Sequence, residues 1–324
     1  MSSKRTILLL ISIAIVALGG CAPSDGISYP TFGIPWLNEI HAVMEYAIHD
    51  VAWSPDGEQI AMVGFRKGSI DQDVLLYDIR TQEYLVILGR EHGFTAGFVS
   101  WSPDGDFLVV SGNASTEPGS GLWLVPVNGD SPSYITHGLS SSLSPDGDWL
   151  AVLTPTIDSL EIKLWDMNTG SERILAVMTD EGDSMATNIE WSPDGEFIAF
   201  TAVTLDQDEP ILGESLFFLD PEHPEPRRVF PDLQLEIWGF GWFPDGEWMA
   251  MTVLVEEYIH YQIQLASIED ECFIPLWPDS RTAWRDVDVS PDGTQLIASN
   301  GDAYIIDMEA MAAEGLIEFP LRCP

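Results

Sequence analysis

The chain has 324 residues, 45% of them hydrophobic, and carries 52 acidic against 13 basic side chains, a net charge of −39. So negative a surface repels phosphate backbones and anionic headgroups, which excludes nucleic acid as a partner and charge as a means of membrane attachment. Solubility, tolerance of high salt and cation binding each fit this acidity, and composition does not separate them.

The first element in chain order is a leader. Lys4 and Arg5 form a short positive start, Thr6 to Leu18 is an apolar run broken by Ser12, and Gly19, Gly20 and Cys21 supply small residues. This is the layout of a secretory signal, and its apolar run is shorter than the roughly 20 residues that a membrane-spanning helix needs. Leu18-Gly19-Gly20-Cys21 resembles the lipobox of bacterial lipoproteins. The resemblance implies removal of residues 1–20 and acylation of Cys21, leaving the chain anchored by lipid to a bacterial membrane, in the cell envelope and outside the cytoplasm. An ordinary cleaved signal with an incidental cysteine is the alternative. Ala22 to Gly26 reads as a tether. Residues 21–49 hold Trp36, Leu37, Ile40, Val43 and Met44 and no copy of the repeat that follows. They are expected to pack on its edge, with an added strand for the last repeat as one possibility.

From Asp50 onward the chain repeats itself. The copies are Trp53-Ser54-Pro55-Asp56-Gly57, Trp101-Ser102-Pro103-Asp104-Gly105, Leu143-Ser144-Pro145-Asp146-Gly147, Trp191-Ser192-Pro193-Asp194-Gly195, Trp242-Phe243-Pro244-Asp245-Gly246 and Val289-Ser290-Pro291-Asp292-Gly293. Their prolines lie 48, 42, 48, 51 and 47 residues apart. Pro sets φ, Asp tolerates the bend and Gly takes a positive φ, so each copy is a tight hairpin turn. An apolar triplet follows every turn, from Ile60-Ala61-Met62 to Leu296-Ile297-Ala298, as expected of a strand buried on both faces. Third strands are predicted at Val74–Ile79, Leu122–Val127, Ile162–Met167, Ser215–Asp220, Tyr261–Ala266 and Ala303–Asp307. Fourth strands are predicted at Tyr84–Leu88, Ser133–Thr136, Glu172–Val177, Arg227–Phe230, Cys272–Leu276 and Leu316–Leu321. Four antiparallel strands at this period predict an all-β fold, a six-bladed β-propeller over residues 50–324, because only a closed ring buries every blade face.

The repeat resembles the propeller units of TolB-like, WD-repeat-like proteins from Asp50 to Leu321, with Leu143, Val289 and Phe243 as departures. That resemblance implies a role in envelope protein complexes. The same repeat serves peptidases that carry a further hydrolase domain, so fold leaves function open.

Candidate chemistry is sparse. Gly138-Leu139-Ser140-Ser141-Ser142 lacks the closing glycine of a nucleophile elbow. His49, His92 and His137 precede three successive inner strands and could share one mouth of the ring. Asp50, Glu190, Asp286 and Asp288 lie one or three residues before the repeat Trp position, so alternation puts them on one side of the innermost strand. Together they are a candidate acidic channel mouth, with Ca²⁺ as the cation that oxygen ligands would take; facing water in a solvated channel is the alternative. Cys272 and Cys323 remain as an even pair in an exported chain, either bridged or free. Trp36, Trp238, Trp277 and Trp284 fall outside the repeat and serve either packing or glycan stacking. The expectation is a monomeric, non-catalytic scaffold for an envelope protein or a glycan. The competing expectation is a propeller enzyme, a hydrolase or lyase on sugars or lactones, using the channel carboxylates.

Overall fold

The structure is a computed structural model that describes residues 34–156, 159–178, 188–203, 214–230, 236–255, 260–276 and 282–323. The predicted leader and Cys21 lie outside the described residues, as does Trp277. Among the described residues no helix is long and apolar enough to cross a membrane.

The fold is a six-bladed β-propeller, as expected: six sheets, each of four antiparallel strands. Innermost strands are Tyr46–Trp53, Phe94–Trp101, Ser140–Leu143, Ile189–Trp191, Ile237–Trp242 and Asp286–Val289, in blades 1 to 6. The repeat turn joins each to the second strand. In blade 1 the Gly57 N–H donates to the Ser54 carbonyl at 2.9 Å, with Gly57 at φ 72°. Ser54 Oγ donates to Asp56 Oδ1 and accepts from the Gln59 N–H, which locks the turn with its own side chains. Blade 5 has Phe243 in place of the serine. There Asp245 accepts from both Glu247 and Trp248 N–H groups, and the Phe243 ring is buried.

The turns also form a ring. The glycine of each turn faces the proline of the turn before it, with Gly57 of blade 1 against Pro291 of blade 6; in blade 5, Gly246 faces Asp194 instead. The second strands explain why apolar residues run without a break. Ile60 and Met62 pack with Ile297 of blade 6, whereas Ala61 and Val63 pack with Leu108 and Val110 of blade 2. The six apolar clusters are thus the six interfaces between blades, and among the described residues each blade packs on a neighbour at both faces.

One strand prediction fails. Leu316–Leu321 is not the fourth strand of blade 6. Leu37–Glu39 takes that place, with Leu37 opposite Ile306 and Glu39 opposite Tyr304, so the start of the chain closes the last blade. The cause is local. Asp307 ends the third strand and accepts from the Ala310 N–H at 2.8 Å, capping a short helix over Met308–Ala313. Met308 and Met311 of that helix are buried against blades 5 and 6. The tail then runs back to blade 5, where Cys323 is disulfide-bonded to Cys272, Cα atoms 5.9 Å apart.

Candidate functional site

The innermost strands stand side by side around the axis, each with one edge outside its own sheet. Backbone N–H groups on that edge need acceptors, and a buried donor without one costs about 1–3 kcal/mol. Side chains of the preceding blade supply them. Asp286 Oδ2 accepts from the Val51 N–H at 2.9 Å, and Asp288 Oδ2 from the Trp53 N–H at 2.7 Å, both from blade 6 to blade 1. Asp50 Oδ2 accepts from the Val99 N–H of blade 2 at 2.7 Å. Ser142 Oγ of blade 3 accepts from the Trp191 N–H of blade 4 at 3.1 Å, and Glu190 accepts from the Trp242 N–H of blade 5. A repeat indole adds one more tie, Trp101 Nε1 to the Ala52 carbonyl at 3.0 Å.

The structure brings Asp50, Glu190, Asp286 and Asp288 to one cavity of about 230 Å³ on the axis, walled also by Asn188, Ser140 and the repeat tryptophans. Crowding four acids in a poorly solvated space favours their neutral forms. Burial, then the neighbouring carboxylates, raises Glu190 well above the usual range. Burial and Asp286 raise Asp50 in the same way. Burial likewise raises Asp286, to about 7, against the Val51 N–H that holds it down. Burial lifts Asp288 to about 6 against the two backbone N–H groups that hold it down.

This is a lattice of inter-blade acceptors. Asp50, Asp286, Asp288 and Glu190 each hold a backbone donor, and among the described residues no group of three or more His, Cys, Asp or Glu is placed to hold a metal ion. Blade 5 contributes no acid here. Its Gly239 and Gly241 sit where a Cβ would press on Asp286 and Asp288; at Gly241 that Cβ would lie 2.8 Å from Asp288 Oδ1 and 2.9 Å from its Cα.

The mouth above the cavity is shaped by bulges in the innermost strands. The ladder shifts register between Ile48 and Asp50, between Ala96 and Val99, and between Ile237 and Phe240. His49 is the extra residue in blade 1. It packs on Phe65 and bonds Gln72 Nε2 at 3.0 Å, and burial, then Arg285, pushes its pKa down to about 4. His92 and His137 stand exposed on the connections into blades 2 and 3, so the three histidines do not form one buried cluster. Trp36 and Trp284 are buried core, whereas Trp238, on the bulge of blade 5, is 41% exposed. Sequence reasoning missed Ser142, Gly239, Gly241 and Arg285. The signal was present, because each occupies the same offset from the repeat Trp as an acid or histidine does in another blade.

Comparison with known proteins locates the fold. Residues 37–124 match the family model described as eukaryotic translation initiation factor eIF2A. A subunit of eukaryotic translation initiation factor 3 from Anopheles gambiae is 26% identical over 183 residues, 56% of this chain and 24% of that protein. The chain therefore spans about a quarter of the length of the curated relatives it matches. Among solved structures, putative TolB from Agrobacterium tumefaciens superposes with a TM-score of 0.58 at 17% identity, covering 84% of this chain and 96% of that one. An oligogalacturonate lyase from Vibrio parahaemolyticus gives 0.53 at 13% identity, covering 84% and 93%. Likeness at these identities shows a shared propeller, TolB-like in its fold, and the chemistry of this chain has to be argued from its own residues.

Proposed function

We propose that this protein is a lipid-anchored propeller of the bacterial cell envelope that works as a non-catalytic scaffold for a protein or glycan partner. The anchor is Cys21, and the binding surface is the face of the ring where the bulged strands open. One observation carries the reading: the channel carboxylates serve as inter-blade acceptors, so Asp50, Asp286, Asp288 and Glu190 hold the ring together. Rigid blades that carry loops at one mouth suit recognition. The N-terminal leader supports export, and the TolB-like fold agrees with an envelope role.

A second reading has its own support. Raised carboxyl pKa values around a cavity are a mark of acid–base sites, and an oligogalacturonate lyase shares the fold. In that reading Asp50 donates a proton and Asp286 accepts one on a sugar or lactone. Two measurements separate the readings. Affinity capture with the anchored chain from its own envelope should recover one partner in stoichiometric amount. Turnover of oligouronides or lactones by the same preparation, lost in Asp50→Asn, would instead establish the enzyme.

A further inference from the structure

Blade 6 shows at which end of the ring the chain arrives. Val289, Leu296, Ile306 and Leu37 form one row across its four strands, and Val289 runs straight into the repeat turn. At the other end Asp286, Ser299 and Ala303 form a row beside the mouth, where the Ile40 N–H donates to the Ala303 carbonyl at 2.8 Å. The outer strand Leu37–Glu39 therefore runs from the turn end towards the mouth, and the chain before it comes in at the turn end. That point is pinned. The Asp307 N–H donates to the Trp36 carbonyl at 2.8 Å, and the Met308 N–H donates to the carbonyl of Thr294, the residue after the turn glycine, at 3.0 Å. The Leu37 N–H donates to the Ile34 carbonyl at 3.2 Å. Ile34 packs on the apolar cluster of blades 5 and 6, as do Phe319, Leu321 and Cys323 of the tail.

Twelve residues, 22–33, separate Ile34 from Cys21, the proposed anchor. A chain of that length spans at most about 40 Å, and about 20 Å as an unstretched coil. An innermost strand of eight residues, such as Tyr46–Trp53, is about 27 Å long. The same tether could bring the mouth to the bilayer only by running the height of a blade and giving up most of its freedom. Charge does not reverse this choice. Asp56, Asp104, Asp146, Asp194, Asp245 and Asp292 stand exposed on the turn face and push it off anionic headgroups. That repulsion is screened within about 8 Å at physiological salt, well inside the span of the tether, so it sets a gap without turning the ring over. We propose that the ring of turns faces the anchoring membrane and the mouth opens away from it. A partner at the mouth then comes from the bulk of the compartment, whereas one embedded in the anchoring membrane would meet the turn face. The inference rests on the lipid-anchor reading and adds the side from which the partner approaches.

The test places one fluorophore at either end of blade 1. Glu58, just past the turn, and Ile70, between the second and third strands at the mouth end, are both exposed. With Cys21 acylated and Cys272 bridged to Cys323, Glu58→Cys or Ile70→Cys supplies the single free thiol. The full acylated chain, labelled there and reconstituted in phosphatidylcholine vesicles whose headgroups carry an acceptor dye, is read by energy transfer. The Glu58 probe should transfer at least about twofold more than the Ile70 probe, because the blade holds the two about 20 Å or more apart along the axis. Doubling the tether with Gly-Ser residues after Gly26 should shrink that ratio towards one. Equal transfer, greater transfer at Ile70, or a ratio untouched by the longer tether overturns the proposal. Mass spectrometry of residue 21 keeps the two readings apart. A chain without acyl groups removes the anchor and this inference with it, whereas an acylated chain with equal transfer removes the orientation alone.

Discussion

Asp286 and Val51 lie 235 residues apart in sequence, yet the aspartate oxygen accepts the valine N–H at 2.9 Å across the seam between the last blade and the first. Asp288 repeats the contact with Trp53 at 2.7 Å. Blade 6 also borrows its outer strand from Leu37–Glu39. The ring is thus closed at both radii, by carboxylates inside and by a strand outside.

Asp286→Ala should destabilise the fold by about 1–3 kcal/mol, since it leaves the Val51 N–H buried without an acceptor. Asp286→Asn keeps a carbonyl acceptor and removes one charge from a crowded cavity, so it should cost less than alanine or nothing. Chemical denaturation of the two variants checks the order. Alanine milder than asparagine would mean that the contact does not hold the seam.

Gly241→Ala should cost about 1–3 kcal/mol, because the new methyl meets the Asp288 carboxylate and its Cα and neither can withdraw without opening the Trp53 contact. Pairing it with Asp288→Ala tests the cause. The double variant should lose less than the sum of the singles if crowding of that side chain is the mechanism.

Much of this architecture is legible in the sequence, and the reason is physical. A turn that needs Pro, Asp and Gly in fixed places, followed by a strand buried on both faces, leaves a local imprint in all six copies. The offsets of Asp50, Glu190, Asp286 and Asp288 from the repeat Trp likewise place them on the axis. Their use as acceptors was not legible, because the donors belong to the next blade. The helix at Met308–Ala313 was missed although Asp307 followed by Met, Glu and Ala is a readable start. The expected strand at Leu316–Leu321 lost to a competitor from the other end of the chain.

Millimolar calcium should leave the melting temperature unchanged at pH 6 and at pH 8. One oxygen of each aspartate already holds an inter-blade donor, from Val51, Trp53 or Val99, and for the other oxygens a divalent ion would have to compete with the protons that burial holds on Asp50 and Glu190. A clear upward shift at pH 8 would show that the acids rearrange into a shell and would return the cation site to consideration.

Reduction of the Cys272–Cys323 bridge should cost about 2–4 kcal/mol, as closing a loop of 51 residues restrains the unfolded chain. The loss should be seen first at the tail, where Leu316 is exposed and few residues are buried. Limited proteolysis of Cys272→Ser should clip after the helix while the blades remain intact. Simultaneous loss of the whole ring would show that the tail stabilises more than its own docking.

Stability should rise as pH falls from about 8 towards 5.5, opposite to an ordinary acid denaturation in that range. Asp288, at about 6 in the folded ring, and Asp50 and Glu190, raised well above their usual range, bind protons in the folded state that the unfolded chain releases. Wherever the folded state holds more protons, raising pH lowers stability, so the penalty grows from near pH 4 and is complete above the folded pKa values. His49 works the other way, because it is neutral when folded down to about 4 and charges when unfolded, but it is one group against several. The turn aspartates, such as Asp56 and Asp292, are held low by Ser54 and by the Thr294 N–H, and they lose their contribution only below the normal carboxylate range. The melting temperature should therefore keep rising as pH falls until it nears the normal carboxylate range, below which the turn aspartates lose their contribution, with a slope above that point that flattens in the Asp50→Asn, Glu190→Gln double variant. A melting temperature that climbs steadily from pH 5.5 to 8 would mean that the cavity acids are ionised and solvated, and that the ring has no protonated interior.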